Sequence, residues 1–291
     1  EIGVRLVGSE MCIRDSHWDA TYDVVILGAG GAGLSAACAA CEQNLKTIVL
    51  EKNGFPGGSS LICTSMYAVA GTDFQKEHNV TKDSEALFES DMMKLGENFN
   101  DPAVVHAFVH ASKVQYDWMQ KVGLKPRELA VGAGMSQPRG HVFTAQKVIE
   151  TMYGYAGKHG AAFRFNMPAK HLVWDADTHR VVGVIAAGKD GKEHAYQAKR
   201  GVIIATGGFA RSPKVLKKFN PYLTNCDVLS ASGSTGDGLL MALELGADFR
   251  DTAFIKATYG SKPGLTSVTE STTIYYLSLI HISEPTRRTP I

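Results

Sequence analysis

The stretch YDVVILGAGGAGLSAACAACEQNLKTIVLE, from Tyr22 to Glu51, decides the fold. YDVVIL is a short apolar, β-branched run of the kind that forms a strand buried on both faces. Glycines crowd from Gly28 to Gly33, an Ala-rich helix is expected to run to about Glu42, and TIVLE (Thr47–Glu51) reads as a second strand that ends in an acid. A strand, a glycine turn, a helix and a strand, with an acid about 20 residues beyond the turn, form the dinucleotide-binding βαβ unit. Each glycine has its own expected job. Gly28 permits the tight turn, Gly30 lets backbone approach a pyrophosphate, and Gly33 lets the helix pack on the strand. The amides at the helix start face the phosphates, and Glu51 would hold ribose hydroxyls, which disfavours a 2′-phosphate. The plainer alternative is a tight helix–strand turn with no ligand.

Working outward, residues 84–96, 102–122 and 145–159 read as helices, with Ser84 and Asp101 as N-caps and Pro102 in the first turn. AFRFNM, AKHLVWD and RVVGVIAA read as strands separated by turn signals, and GVIIAT (Gly201–Thr206) as a further buried strand closed by Gly207 and Gly208. A last helix is expected from Asp237 to about Leu245, after GSTGDG. The fold class is therefore α/β: a Rossmann-like parallel sheet flanked by helices and interrupted by a β-rich insertion.

Composition narrows the class without naming a reaction. Thirty basic against twenty-nine acidic residues give a net charge of +1, and 44% of the chain is hydrophobic. No basic footprint for nucleic acid and no membrane-spanning apolar run is present in the sequence. Cys38 and Cys41 form a C-x-x-C, but mid-helix among alanines they suit packing better than redox exchange. His106 and His110, four apart on a helix, lack the companions of a metal site and read as helix-surface or core histidines, so no metal is expected. Trp118, Phe108 and Met119 read as core, and KDSEALFESDMMK as a solvated helix face. Arg139 and His141 in QPRGHVF lie in a Gly/Pro-rich stretch after the long helix and are candidates for a site role, since loops near clefts carry function more often than other loops.

A single glycine fingerprint would serve NAD, but this chain has two more glycine pairs, PGGSS at Pro56–Ser60 and ATGG at Ala205–Gly208. Three glycine contacts suit a longer ligand lying extended across the sheet, as FAD does. Taken together, WDATYDVVILGAGGAG, LEKNGFPGGSS, IIATGGFA, STGDGLLMALELGA and VTE resemble the fumarate reductase and succinate dehydrogenase flavoprotein superfamily, on its soluble flavocytochrome-like branch. The resemblance covers residues 17–276. It implies that Gly28, Gly30, Ala32 and Gly33 meet the pyrophosphate and Glu51 the adenosine ribose. Ser59 and Ser60 fall beside the ribityl chain, with serine replacing the family's asparagine at the first. Ser65 and Met66 fall where relatives carry two glycines beside the isoalloxazine. Ala169 matches a backbone contact to adenine, Gly207 and Gly208 approach from the later strand, and Asp237 matches an FAD-contacting acid that could also cap the following helix.

The succinate dehydrogenase branch attaches FAD to a histidine just beyond the second glycine pair; SSLICTSM has none, so non-covalent FAD is expected. The resemblance further implies hydride transfer between flavin N5 and the C=C or CH–CH bond of a small carboxylic acid. Thr269 and Glu270 match the pair at the substrate carboxylate. Thr258 stands where the family has its first substrate histidine, which turns the expectation away from fumarate itself and leaves Tyr259 to meet a ring or amide. The ends, residues 1–16 and 277–291, resemble translated sequencing-adapter sequence and are expected not to be native. The remainder divides into an FAD-binding domain (17–250) and the start of a capping domain (251–276). The family's proton-donating arginine has no counterpart before residue 276, so the chain alone is expected to be inactive, with no catalytic residue of its own. The electron donor, a haem or FMN domain or protein, is left open, and a soluble, exported location is favoured. The alternatives are a flavin oxidase or dehydrogenase acting on an amino acid or ketosteroid, a non-catalytic FAD-binding piece, and an NAD-only dehydrogenase.

Overall fold

A computed structural model describes residues 17–251 and Ile255, apart from Thr64 and Asp227. Its elements, in chain order, are β1 (Ala20–Leu27), α1 (Gly31–Glu42), β2 (Thr47–Glu51), α2 (Gly58–Leu61), β3 (Met66–Ala68), α3 (Asp73–Glu77), α4 (Glu85–Leu95) and α5 (Pro102–Lys121). There follow β4 (Glu128–Ala130), β5 (Gly140–Val142), α6 (Ala145–Lys158), β6 (Ala162–Phe165), β7 (Ala169–Asp175), β8 (Arg180–Ala187), β9 (Glu193–Ile204), α7 (Pro213–Phe219) and α8 (Asp237–Glu244).

Six strands form the main sheet in the order β6-β2-β1-β9-β8-β7. β6, β2, β1 and β9 run parallel, whereas β9, β8 and β7 form an antiparallel meander. The β-rich insertion is thus continuous with the nucleotide-binding sheet. β9 achieves this by being longer than GVIIAT: residues from Glu193 to Gln197 pair with β8, and residues from Tyr196 to Ile204 pair with β1, so the two pairings overlap. A separate three-stranded antiparallel sheet, β3-β5-β4, was not expected from the sequence.

Period-two alternation explains why the second half of β1, Val24–Leu27, is an unbroken apolar run: both of its faces are covered. Val24 and Ile26 point to one face and pack with α1 and α6 residues such as Ala37, Ile149 and Met152. Val25 and Leu27 point to the other, against Leu172, Val184, Tyr196 and Met241. The small residues of α1 let α6 approach. Cys38 Sγ lies 3.4 Å from the Met152 carbonyl and Cys41 Sγ 3.8 Å from that of Ala156, so the C-x-x-C is a packing feature. Burial pushes the Cys38 thiol up to about 12 and raises Cys41 as well, the opposite of what a reactive thiolate needs.

The expected helix caps are present: Ser84 Oγ accepts from Leu87 N, and Asp101 accepts from Ala103 N with Pro102 following it. Two expectations on α4 and α5 are corrected. KDSEALFESDMMK is not simply a solvated face, because Asp83 and Asp91 turn inward to the guanidinium of Arg139. Phe108 is half exposed and meets Phe88 edge-on, while Met119 is core and Trp118 is partly buried with its indole N–H on Glu42.

Candidate functional site

A cavity of about 410 Å³ opens where β1, β2 and β9 end, the crevice at the strand C-termini that this topology reserves for ligands. Gly28 makes the turn at φ +101°, and a Cβ there would come within 2.5 Å of the Ala205 carbonyl oxygen. Gly33 packs so closely that its Cβ would lie 1.8 Å from the Gly28 oxygen. A Cβ on Gly30 would meet only the Gly57 oxygen, at 3.8 Å, so the room that a side chain would take is left to the cavity. α1 begins at Gly31 with no side-chain cap, and its first-turn amides have no intrahelical acceptor. Ala32 lines the same wall.

Glu51, 7% exposed, closes β2. One carboxylate oxygen accepts from Ala29 N and the other from Asn53 N, each at 2.8 Å. Each oxygen keeps a further lone pair, and the residue lines the cavity. The second glycine pair reinforces the first: Gly57 N donates to the Ala29 oxygen at 2.8 Å, and Ser60 Oγ accepts from Gly31 N at 3.2 Å. Ser59 Oγ accepts from Ala231 N at 3.1 Å and sits 3.3 Å from Ser234 Oγ.

From the far wall, Gly207 (φ +77°) and Ala169 line the cavity, whereas Gly208 stands behind it and accepts from Gly236 N. Asp237 lines the cavity but does not cap α8; Gly236 is the N-cap, at φ +81°, and Asp237 occupies the first helical turn. Its carboxylate accepts from Lys52 Nζ and Thr235 Oγ1, each at 2.7 Å. Burial opposes its ionisation, but the hydrogen bonds from Lys52 and Thr235 outweigh it and hold the carboxyl below the usual range. Lys52, Asn53, Thr206 and Ser234 also line the cavity and were not singled out from the sequence. For Lys52 and Asn53 a signal existed, since they directly follow the acid that ends β2.

Ser65 and Met66 are not brought to this wall. Ser65, at φ +63°, accepts from Ala145 N at the start of α6. Met66 lies across Gly140, where a Cβ would come within 2.6 Å of its sulfur. The cleft expectation for Arg139 and His141 is corrected, because both are fully buried. Arg139 binds Asp83 through Nε and Nη2 and Asp91 through Nη1, beneath the Phe88 ring. His141 bonds Thr72 Oγ1 at 2.8 Å and the Arg139 carbonyl at 2.9 Å. His106 and His110 pair with Glu89 and Glu85 on the surface between α5 and α4. Among the described residues no cluster of three or more His, Cys, Asp or Glu side chains could hold a metal. Thr258, Tyr259, Thr269 and Glu270 lie outside the described residues.

The open space at Gly30, the Ala32 and Gly33 amides at the helix start and the buried acid at the end of β2 fit the pyrophosphate and ribose of a dinucleotide. Fold and site together define a dinucleotide-binding α/β domain. The chain belongs to the FAD binding domain family, whose profile matches residues 23–261, and its cofactor is FAD. It is 34% identical over 242 residues to a fumarate reductase (cytochrome) of Shewanella frigidimarina, covering 81% of this chain and 42% of that protein. Against a urocanate reductase of Eggerthella lenta the identity is 30% over 253 residues, with 80% and 39% covered. The open conformation of a flavocytochrome c3 fumarate reductase superposes with a TM-score of 0.76 at 30% identity, covering 79% of this chain and 41% of that one. A 3-ketosteroid-Δ4-(5α)-dehydrogenase from Rhodococcus jostii gives 0.73 at 27% identity, with 81% and 56% covered. The chain spans about two fifths of the length of these two curated relatives.

Proposed function

We propose that this chain is the flavin-holding part of an FAD-dependent oxidoreductase that reduces the C=C bond of a small unsaturated carboxylic acid. The observation that carries the reading is the likeness, in sequence and fold, to fumarate and urocanate reductases, over a cleft built for a dinucleotide. FAD, when bound, supplies the hydride exchange with the carbon–carbon bond. Gly28, Gly30 and the Ala32 and Gly33 amides of the first α1 turn would hold the pyrophosphate, and the free lone pairs of Glu51 the adenosine ribose. Ser60, on the cavity wall, fixes the start of α1 by accepting from Gly31 N. Ala169 and Gly207 offer backbone close to the ligand, with Gly33 and Gly208 supporting the turns behind them. Nothing in the segment SSLIC offers a histidine for covalent attachment, so FAD is held non-covalently.

On the substrate side, Thr269 and Glu270 would engage the carboxylate, and Thr258 with Tyr259 would favour an enoate larger or less acidic than fumarate. Ser65 and Met66 would face the isoalloxazine only through a different arrangement of β3. Residues 17–250 would be the FAD-binding domain and 251–276 the beginning of a cap. Among the described residues no helix is long and apolar enough to cross a membrane. The electron donor would be a haem or FMN domain or protein, and the location exported.

The test is anaerobic oxidation of reduced methyl viologen by the full-length parent, offered fumarate, urocanate and acrylate in turn. Turnover with at least one enoate is expected, and acid precipitation should leave the flavin in solution. The likeness to the ketosteroid dehydrogenase favours a second reading, a flavin dehydrogenase or oxidase on a bulkier substrate. Inactivity toward every enoate, with turnover of a 3-ketosteroid, would replace the first reading by the second; oxygen consumption would mark an oxidase.

A further inference from the structure

The segment Ala231–Thr235 crosses the cavity as a strap between α7 and α8, and it is fastened at both ends. At one end Ser59 Oγ accepts from Ala231 N. At the other, the Lys52 ammonium donates to Thr235 Oγ1 and to Asp237, while Thr235 donates to the second carboxylate oxygen of Asp237. Between them the strap lies tight on β2's end: a Cβ on Gly233 would come 2.9 Å from Asn53 Nδ2 and 3.0 Å from Lys52 Cε. The Lys52 and Asp237 side chains are only 25% and 36% exposed.

We propose that Lys52 is a cofactor-positioning residue that clips the strap and the first turn of α8 onto the end of β2 and so sets the adenosine end of the cleft. The inference rests on the FAD reading of the site. Two features of the clip follow from its chemistry. Geometrically, one ammonium joins two elements far apart in sequence, and only a side chain with several donors can serve both Thr235 and Asp237. Electrostatically, Glu51 and Asp237 face a cavity that must admit a pyrophosphate, and Lys52 cancels the second of those charges at hydrogen-bond distance. Lys170 adds a weaker positive field from farther away. Placed next to the ribose acid, the clip belongs to the adenosine half, so it should act on any ligand that carries adenosine diphosphate.

Calorimetric titration of the chain with FAD and with ADP tests this. K52M should weaken both ligands by a similar factor, about tenfold, while K52R keeps most of the affinity. K52M/D237N, in which the uncompensated carboxylate is gone, should recover part of the loss. T235V keeps every charge and should weaken ADP by a smaller factor; it also decides the matter if circular dichroism shows K52M to be unfolded. The proposal is overturned if T235V and K52M bind ADP like the wild type. It is equally overturned if K52M/D237N binds no better than K52M, since Lys52 would then contact the ligand itself. A wild-type chain that is folded and takes up neither ligand would instead remove the FAD reading beneath it.

Discussion

Glu51 staples backbone at the end of β2, a task separate from the ribose contact proposed for it. Its carboxylate oxygens each accept one backbone amide, from Ala29 inside the glycine turn and from Asn53 beyond the strand. Glutamine cannot reproduce this, because its amide nitrogen would face one of the two N–H donors. E51Q should therefore destabilise the fold by about 1–3 kcal/mol, the cost of leaving a buried donor unmet, and weaken FAD as well. Urea unfolding with and without FAD separates the two tasks; unchanged stability in the absence of ligand would confine Glu51 to the ribose. The proposed ribose role rests on strand, glycines and spacing, and the placing of Glu51 at the end of β2, on the cavity wall, was legible from them. The stapling role was not, since it depends on where the Gly28 turn aims the Ala29 amide, which is a matter of three-dimensional path. Lys52 escaped for a similar reason: its partners lie some 180 residues on, at Thr235 and Asp237.

At the scale of elements, the long periodic helices and the buried strands were readable because each carries many repeats of its own pattern. β3, β4 and β5 have three residues each, too few for any period to register. The same small sheet explains the misread of Arg139 and His141. A Gly/Pro-rich loop suggested a cleft, yet Gly140–Val142 pairs with strands on both sides and takes the basic residues inward. Asp83 and Asp91 follow them. In a charge-rich run nothing local distinguishes an acid that meets solvent from one that meets a buried guanidinium.

His141 gives this element a pH signature. Its Nδ1 faces a carbonyl and so carries the proton, leaving Nε2 to accept from the Thr72 hydroxyl, which itself accepts from Gln75 N. Burial, only partly offset by the Arg139 carbonyl, lowers the His141 pKa from its ordinary 6.5. The unfolded chain therefore takes up this proton first as the pH falls. The contribution to stability is full above about 6.5 and is lost on descending toward the folded pKa. The urea midpoint should fall between about pH 7 and about pH 5, and H141Q should flatten that slope. An equal slope in H141Q would assign the acid sensitivity elsewhere.

For the whole molecule, the arrangement of the sheet places the cavity and also leaves a weakness beside it. β9 holds the molecule together by pairing with β8 through Glu193–Gln197 and with β1 from Tyr196 onward, but its last residues, Gly201–Ile204, have a partner only on the β1 side among the described residues. Ile203 and Ile204 are 40% and 41% exposed there. A strand with a free edge and apolar side chains is a template for another chain, and here it lies next to the cofactor cleft, which Ile204 lines. The chain as given should therefore self-associate with rising concentration, and I203K, which puts a charge on that edge without touching the cleft lining, should shift it toward monomer with FAD affinity unchanged. Sedimentation velocity across a concentration series reads this directly. A wild-type chain that stays monomeric throughout would mean that the edge is shielded, and a mutant that associates as strongly as the wild type would move the contact to another surface, such as the exposed Val104 and Phe108 on α5.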